Sequence, residues 1–413
     1  MAYFSMLSIS LCSLLLLHGC IVISSNTNCQ EIHRLVATEP DIHMPSEAGS
    51  IDIWNPNTDQ FQCAGVQVVR YTIQPNGHAL PFYTNAYKVS YIIQGSGILG
   101  VIIPGCSQEL NSEKNECEHI LHFQSGDVFA LRPGETLWSY NSGCEPIIVI
   151  AIYRITHTDP LRRFVLGGPQ NILDGFSLKF IVKAFNIDNE LATKLQSKID
   201  LRGIIIYLTD GLHLSNSTTT KQCSRYDQQE QKGFYNAKDE FFCNINTRIT
   251  KISEGADLYI PQVGHLTTMD AHEFPILESI QLSLSYNLLL KDVMRLPHWD
   301  NNDNIIYVVK GEGHIQVVDD NGKNVFDDMV KEGQVLLVPH SFLMVEQSNS
   351  ERFEYVTFKT NANPITSDLS GRKSVINCLP LEVLTNAFKI TQDEAKKVKF
   401  GRKETSLAKS VRN

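Results

Sequence analysis

The stretch Tyr307-Val-Val-Lys-Gly311-Glu-Gly313-His-Ile-Gln-Val-Val318 decides the fold, because an earlier stretch repeats its pattern. In Tyr91-Ile-Ile-Gln-Gly95-Ser-Gly97 an apolar strand again enters a Gly-x-Gly turn, and a second strand follows. Further along, Gly126-Asp-Val-Phe-Ala-Leu131 matches Gly333-Gln-Val-Leu-Leu-Val338 in the same way. Short strands separated by glycine turns predict an antiparallel β-sandwich or barrel. Their repetition predicts two such units in one chain.

A second repeat is helical and follows each set of strands. Residues 181–192 (IVKAFNIDNELA) align with residues 384–395 (LTNAFKITQDEA). Asp188 and Thr391 stand where an N-cap belongs, and Thr391 with Glu394 forms a Thr-x-x-Glu capping box. Each half is therefore predicted to be a barrel followed by a short helical extension.

The stretch between the halves has a different character. Residues 211–240 are polar and lack any hydrophobic periodicity, which is typical of an exposed linker. The predicted organisation is a leader at 1–25, an N-terminal domain at 29–210, a linker at 211–243 and a C-terminal domain at 244–413.

Composition excludes several classes of protein. The chain has 413 residues, and its 36 Lys and Arg against 45 Asp and Glu give a net charge of −9. Nucleic acids and anionic membranes attract basic surfaces, so neither is an expected partner. The 25 glycines and 16 prolines are ordinary counts, which exclude collagen-like and Pro/Gly-rich disordered chains.

The N-terminus accounts for part of an unusual cysteine content. Residues 7–24 form an apolar run, and the small residues Ser24 and Ser25 precede a polar stretch. This pattern indicates a cleaved signal peptide, with a retained short anchor as the alternative. Removing the leader takes two of the ten cysteines with it, and the eight that stay indicate disulfide bonds in a secretory protein.

These features together resemble the legumin-type (11S) seed storage globulins. The resemblance rests on IDIWNPN (residues 51–57), the second-half strands at 305–327 and EVLTNAFKIT (residues 382–391), and it spans about residues 28–405. It implies two tandem cupin jelly-roll barrels and subunits that assemble into trimers through the helical extensions. It also implies delivery through the ER to the protein storage vacuole of the seed.

The resemblance implies two disulfides. Cys29 and Cys63 match the first pair of the family, and Cys106 and Cys243 match the second, which joins the halves across the linker. The remaining cysteines have no family counterpart and are left as free thiols or further bridges: Cys117, Cys144, Cys223 and Cys378.

The resemblance also implies a proteolytic cut after an asparagine in the linker, which permits trimers to stack into hexamers. Asn236 and Cys243 keep the family spacing, but Ala237 replaces the glycine of the motif, which disfavours the cut and with it the hexamer. Asn216-Ser217-Thr218 is a glycosylation sequon if it is exposed in the ER.

Many cupins are metalloenzymes that use a His-x-His pair, a glutamate and a later histidine. By alignment these positions hold Phe82, Thr84, Val89 and Leu137 in the first barrel. In the second barrel they hold His298, Asp300, Ile305 and Met344. Transition-metal sites usually need three or more protein ligands, so no metal or cofactor is predicted and His298 with Asp300 is a weak candidate.

The sequence therefore predicts a non-enzymatic nutrient reservoir whose partner is another copy of itself or a related globulin. The alternative is a divergent cupin enzyme or small-ligand binding protein that uses the second barrel near His298, Trp299 and Asp300.

Overall fold

A computed structural model of the chain describes residues 29–103, 119–156, 158–196, 201–214, 248–252 and 257–409. These residues form 25 β-strands and seven α-helices. The strands make four sheets, two for each jelly-roll barrel, and this confirms the mostly β fold predicted from the repeats. Among the described residues, no helix combines the length and the apolar composition needed to cross a membrane.

The N-terminal barrel is built from thirteen strands: β1 (Ile42–Ser46), β2 (Gly49–Ile53), β3 (Val66–Ile73), β4 (Gly77–Thr84), β5 (Tyr87–Gln94), β6 (Ser96–Ile102), β7 (His119–Gln124), β8 (Asp127–Leu131), β9 (Thr136–Tyr140), β10 (Ile147–Arg154), β11 (Arg163–Val165), β12 (Ile205–Tyr207) and β13 (Ile249–Lys251). One sheet has the order β1-β2-β3-β10-β5-β8-β13. The other has the order β11-β4-β9-β6-β7, with β12 also paired to β4.

The C-terminal barrel repeats this design with β14 (Leu258–Ile260), β15 (Gly264–Met269), β16 (Ser283–Leu290), β17 (Val293–Asp300), β18 (Asn304–Lys310), β19 (Glu312–Val318), β20 (Asn324–Lys331), β21 (Val335–Val338), β22 (Leu343–Ser348), β23 (Arg352–Lys359), β24 (Thr366–Asp368) and β25 (Leu407–Lys409). Its sheets have the orders β14-β15-β16-β23-β18-β21 and β20-β19-β22-β17-β24, with β25 paired to β17. Strands β3 to β12 therefore correspond one by one to β16 to β25.

The helices are α1 (Asp59–Ala64), α2 (Leu178–Phe185), α3 (Asn189–Leu195), α4 (Ile276–Ile280), α5 (Val375–Cys378), α6 (Leu381–Phe388) and α7 (Gln392–Phe400). Both predicted caps are confirmed. The Asp188 side chain accepts a hydrogen bond from the Leu191 amide at the start of α3. Thr391 and Glu394 form the complete capping box of α7. Each cap satisfies amides that the first turn leaves without partners.

The Gly-x-Gly turns have a steric reason. Gly95 and Gly311 have φ values of 84° and 78°, in the left-handed region that a residue with a Cβ rarely adopts. A Cβ on Gly311 would also collide with the carbonyl oxygen of Arg352. The glycines that revealed the repeat are therefore required by the β5–β6 and β18–β19 hairpins.

The two barrels share one apolar core. Val89 and Tyr91 of β5 face the same cluster as Ile305 and Tyr307 of β18, so a sheet from each barrel packs against the other. Their opposite faces fill the barrel interiors, which form two separate clusters. Burial on both faces explains why β18 reads as a nearly continuous apolar run.

The segments that precede the barrels each add to the sheet edge of the other barrel. Strand β13, which comes before the C-terminal barrel, pairs with β8 through Ile249 and Phe129. In the same way, Thr38 exchanges two backbone hydrogen bonds of 2.8 Å with Val335 of β21. Pairing covers two edges that would otherwise expose unsatisfied backbone groups.

Candidate functional site

The interior of the C-terminal barrel contains the histidine that the sequence singled out. Strand β17 has an irregular register between Arg295 and His298, around Pro297. A bulge of this kind lets residues three apart face the same side, and the two side chains are both buried in the barrel. His298 pairs across the sheet with Met344, which holds another of the aligned ligand positions.

An ion pair occupies the end of this interior. The Lys359 Nζ lies 3.0 Å from Asp300 Oδ2, with the two side chains 3% and 1% exposed. The hydroxyl of Thr366 donates to the other oxygen of Asp300. Burial alone would raise the pKa of Asp300, but the Lys359 ammonium holds it well below its usual range. Both carboxylate oxygens are therefore used within the protein.

The same interior contains a second buried carboxylate, Glu346. Tyr355 donates to Glu346 Oε1 at 3.1 Å, and the same oxygen is 3.7 Å from Arg295 Nη1. Burial raises the pKa of Glu346 to about 6, although Arg295 opposes the shift. The His298 Nδ1 donates to the Leu296 carbonyl at 3.0 Å, and burial lowers the pKa of this imidazole to about 3. His298 is therefore neutral at physiological pH.

These buried side chains do not fit a transition-metal site. The Lys359 ammonium and the Thr366 hydroxyl occupy Asp300, and the Arg295 guanidinium lies beside Glu346. Two cations in the same interior repel a third charge of the same sign. Among the described residues, no three His, Cys, Asp or Glu side chains are close enough to hold a metal ion. The arrangement is that of an internal ion-pair network.

The interior of the N-terminal barrel has different chemistry. The Lys88 side chain is buried, and its Nζ lies 5.0, 5.1, 5.5 and 5.7 Å from four ring centres, those of Tyr71, Phe129, Tyr153 and Phe82. Burial, aided by the nearby Arg163, lowers the pKa of Lys88 to about 7. The faces of aromatic rings attract an ammonium, so this cage replaces part of the lost hydration.

Arg163 is the second cation of this interior. Its Nη2 donates to the Tyr71 hydroxyl at 2.8 Å, and the two hydroxyls of Tyr71 and Tyr153 are 2.5 Å apart. Its guanidinium carbon lies 5.6 Å from the Tyr71 ring centre and 5.2 Å from that of Phe82. Lys88 and Arg163 thus contact the same two rings.

The aligned positions on β5 and β18 were wrong by one residue. Val89 and Ile305 face the core between the barrels, whereas Phe82, Leu137 and Met344 line the barrel interiors. Side chains alternate across a strand, so a slip of one residue moves a side chain to the opposite face. In the first barrel, the residues on either side of Val89, Lys88 and Ser90, are the ones whose side chains face the interior.

The structure joins Cys29 to Cys63, the first of the two pairs expected from the resemblance. The bond ties the N-terminal segment to α1, where the Gln60 side chain also hydrogen-bonds both backbone groups of Val36. Cross-linking a loop of 34 residues restricts the unfolded chain and contributes roughly 3–4 kcal/mol in the entropic account.

The other cysteines divide into two groups. Cys144 takes part in a disulfide, and Cys378 is a free, exposed thiol. The remaining sequence-predicted features lie outside the described residues: Cys106, Cys117, Cys223, Cys243, the sequon at Asn216 and the cut site at Asn236 and Ala237.

Comparison with known proteins decides the family. The cupin family model matches residues 35–193 and 250–396. The 11S globulin seed storage protein Ana o 2.0101 of Anacardium occidentale is 36% identical, over 97% of each chain. The chain belongs to the 11S globulin family. Two solved structures have the same fold. Coconut cocosin is 34% identical with a TM-score of 0.81, and the match covers 92% of this chain and 100% of cocosin. Procruciferin, an 11S globulin from Brassica napus, is 33% identical with a TM-score of 0.81, and the match covers 94% of this chain and 99% of procruciferin.

This 11S globulin contains interior residues that sequence reasoning missed, namely Lys88, Arg163, Arg295, Glu346 and Lys359. A charged residue inside an apolar strand, such as Lys88 in YKVSYIIQ or Lys359 in RFEYVTFK, was an available signal. Charged residues are almost never fully buried without a partner. The partners come from other strands, however, so only the assembled barrel could show them.

Proposed function

We propose that this 11S globulin is a non-enzymatic nutrient reservoir that enters the secretory pathway and is stored in the seed vacuole. The observation that carries the proposal is the fully used carboxylate of Asp300, which stands where a catalytic cupin has a metal ligand. Lys359 pairs with one of its oxygens, and the Thr366 hydroxyl donates to the other. A storage role needs a stable, soluble package without a reactive group. The relative from Anacardium occidentale is named as a seed storage protein, which supports the same role.

Tissue abundance tests the storage role. We expect the protein to be among the abundant proteins of mature seed and to disappear during germination, as measured by quantitative mass spectrometry across tissues. An abundant seed protein that is not an 11S globulin provides the loading control. Trace amounts in leaf or root with none in seed would contradict a reservoir and favour the ligand-binding alternative.

The assembly proposed for this chain is a trimer formed through the helical extensions. Each extension exposes large apolar side chains that a monomer would leave in water: Phe176, Phe180, Phe185 and Leu191 after the first barrel, and Val383, Phe388, Val398 and Phe400 after the second. Clusters of exposed apolar side chains of this kind mark protein interfaces. Because the two surfaces belong to equivalent elements, contact between the first of one subunit and the second of the next can close a ring.

Substitution at the helical surfaces tests the trimer. Phe180 and Phe388 are 67% and 57% exposed, so replacing them with aspartate should not disturb either barrel. We expect the F180D/F388D variant to elute as a monomer and the wild type at about three times that mass in light scattering. Tyr259→Asp is the matched control, because Tyr259 is 68% exposed outside the extensions. A monomeric wild type, or an intact trimer in the double variant, would contradict the proposal.

Hexamer formation, cleavage after Asn236 and the bridge between Cys106 and Cys243 remain predictions from the resemblance. The domain limits at 29–210 and 244–413 are likewise predictions from the sequence.

A further inference from the structure

The N-terminal barrel has an imbalance of buried charge. Lys88 is 4% exposed, and the half-buried Arg163 directs its guanidinium onto the same Tyr71 and Phe82 rings. Among the described residues, neither cation forms an ion pair with a carboxylate, and the contacts of Arg163 are with tyrosine hydroxyls. Burying a charge without a counter-charge is costly, so two cations in one interior need an explanation.

Two hydrogen-bond donors of this interior have no partner within the described part of the chain. Ser90, which is 0% exposed, follows Lys88 on the inward face of β5, and its Oγ is unsatisfied. The Nε of Arg163 is also buried without a partner. Buried polar groups normally form hydrogen bonds, and an exception indicates a missing water, ion or ligand. Donors without acceptors beside two cations point to an anion.

The second barrel shows what the first one lacks. There the buried lysine, Lys359, has Asp300 as its counter-charge. Asp300 pairs across the sheet with Thr366, and at the equivalent place Thr84 pairs with Arg163. The position that supplies the carboxylate in the C-terminal barrel therefore holds a threonine in the N-terminal barrel.

We propose that the interior of the N-terminal barrel binds a small monovalent anion, chloride or a short carboxylate such as formate, with Lys88, Ser90 and Arg163 as its ligands. The anion occupies the role that Asp300 has in the other barrel. Because four aromatic rings already surround the lysine, the anion must be small. This site is independent of the storage role and of trimer assembly.

Thermal unfolding of the full-length protein at pH 6 and constant ionic strength tests the site. Sodium chloride or sodium formate replaces sodium gluconate, whose anion is too large for the interior. A ligand that binds only the folded state raises the melting temperature in proportion to the logarithm of its concentration. We expect a rise of about 4 °C between 5 and 500 mM chloride or formate. The arm with the larger response identifies the preferred anion.

Three variants locate the response. Lys88→Met and Ser90→Ala should reduce it to less than a third of the wild-type shift. Thr84→Asp should do the same, because it places a carboxylate opposite Arg163 on the neighbouring strand. Lys310→Met is the matched control, since it removes an exposed lysine of β18 and should keep the full response.

The proposal is overturned if the wild type melts at the same temperature in chloride, formate and gluconate. It is equally overturned if Lys88→Met and Thr84→Asp retain the wild-type shift, because the anion would then act elsewhere. A crystal soaked in bromide gives a second readout that does not depend on stability. An anomalous peak within 4 Å of Lys88 Nζ is expected in the wild type and none in Lys88→Met.

Discussion

Replacing Asp300 with alanine is expected to lower the free energy of unfolding of the C-terminal barrel by about 3–5 kcal/mol. The change leaves Lys359 as a buried amine without its counter-charge, and it also removes the acceptor of the Thr366 hydroxyl. Urea unfolding followed by tryptophan fluorescence measures the effect. The expected loss of stability is large because the aspartate side chain is only 1% exposed. Loss of an exposed ion pair costs under about 1 kcal/mol.

The control is the same substitution at an exposed carboxylate that accepts a hydrogen bond from a side chain. Asp327 is 44% exposed and lies 2.7 Å from the Nε2 of His314, so Asp327→Ala should cost under about 1 kcal/mol. Adding Lys359→Met to Asp300→Ala should recover much of the loss, because the uncompensated cation is removed. If Asp300→Ala costs no more than Asp327→Ala, the buried pair does not stabilise the barrel.

The pH dependence of this pair has a definite sign. The pKa of Asp300 lies below its unfolded value of about 3.9, so folding favours the charged carboxylate. The charged Asp300 therefore stabilises the fold fully at pH values above the unfolded-state pKa. This stabilisation is lost as the pH falls toward the lower pKa of the folded state. The difference between the wild type and Asp300→Ala should therefore be constant from pH 5 to 7 and shrink below pH 4.

Replacing Lys88 with methionine is expected to stabilise the N-terminal barrel in a buffer of low chloride. Burial lowers the pKa of Lys88 to about 7 from an unfolded value of about 10.4, a difference equivalent to about 5 kcal/mol when the amine is charged. Because methionine carries no charge and fills a similar apolar volume, we expect a gain of about 3–5 kcal/mol at pH 6.

The gain should depend on pH because the lysine can lose its proton. Between pH 7 and about 10.4 the unfolded state binds more protons than the folded state, so wild-type stability rises with pH in this window. The advantage of Lys88→Met should be largest below pH 7 and should disappear near pH 10. Urea midpoints at pH 6, 8 and 10 measure it, with exposed Lys310→Met as the control. Parallel pH profiles for the wild type and Lys88→Met would show that Lys88 is not desolvated.

The fold was predictable because its signals are local. The glycines at 95 and 311 are needed for left-handed turns, and the caps at Asp188 and Thr391 satisfy amides within one helical turn. Such features depend on neighbouring residues, so they can be recognised without any knowledge of distant contacts. The same holds for the duplication, which repeats these signals in the same order.

The sites were less predictable because they depend on register. Alignment put Val89 and Ile305 inside the barrels, where the structure has their neighbours. The bulge at Pro297 brings Arg295 and His298 to one side, against the alternation expected of a regular strand. One-residue shifts of this kind are decided by cross-strand pairing and leave no clear local signal.

The sequence by itself determined that this chain is a duplicated β-barrel protein of the 11S globulin type with helical extensions. Only the tertiary structure decided that Lys359 has a carboxylate partner and Lys88 has an aromatic cage. The physical reason is that each partner comes from a strand distant in sequence. Local propensity specifies a turn or a helix end, whereas the cost or gain of a buried charge depends on which side chains the folded sheets bring within a few ångströms of it.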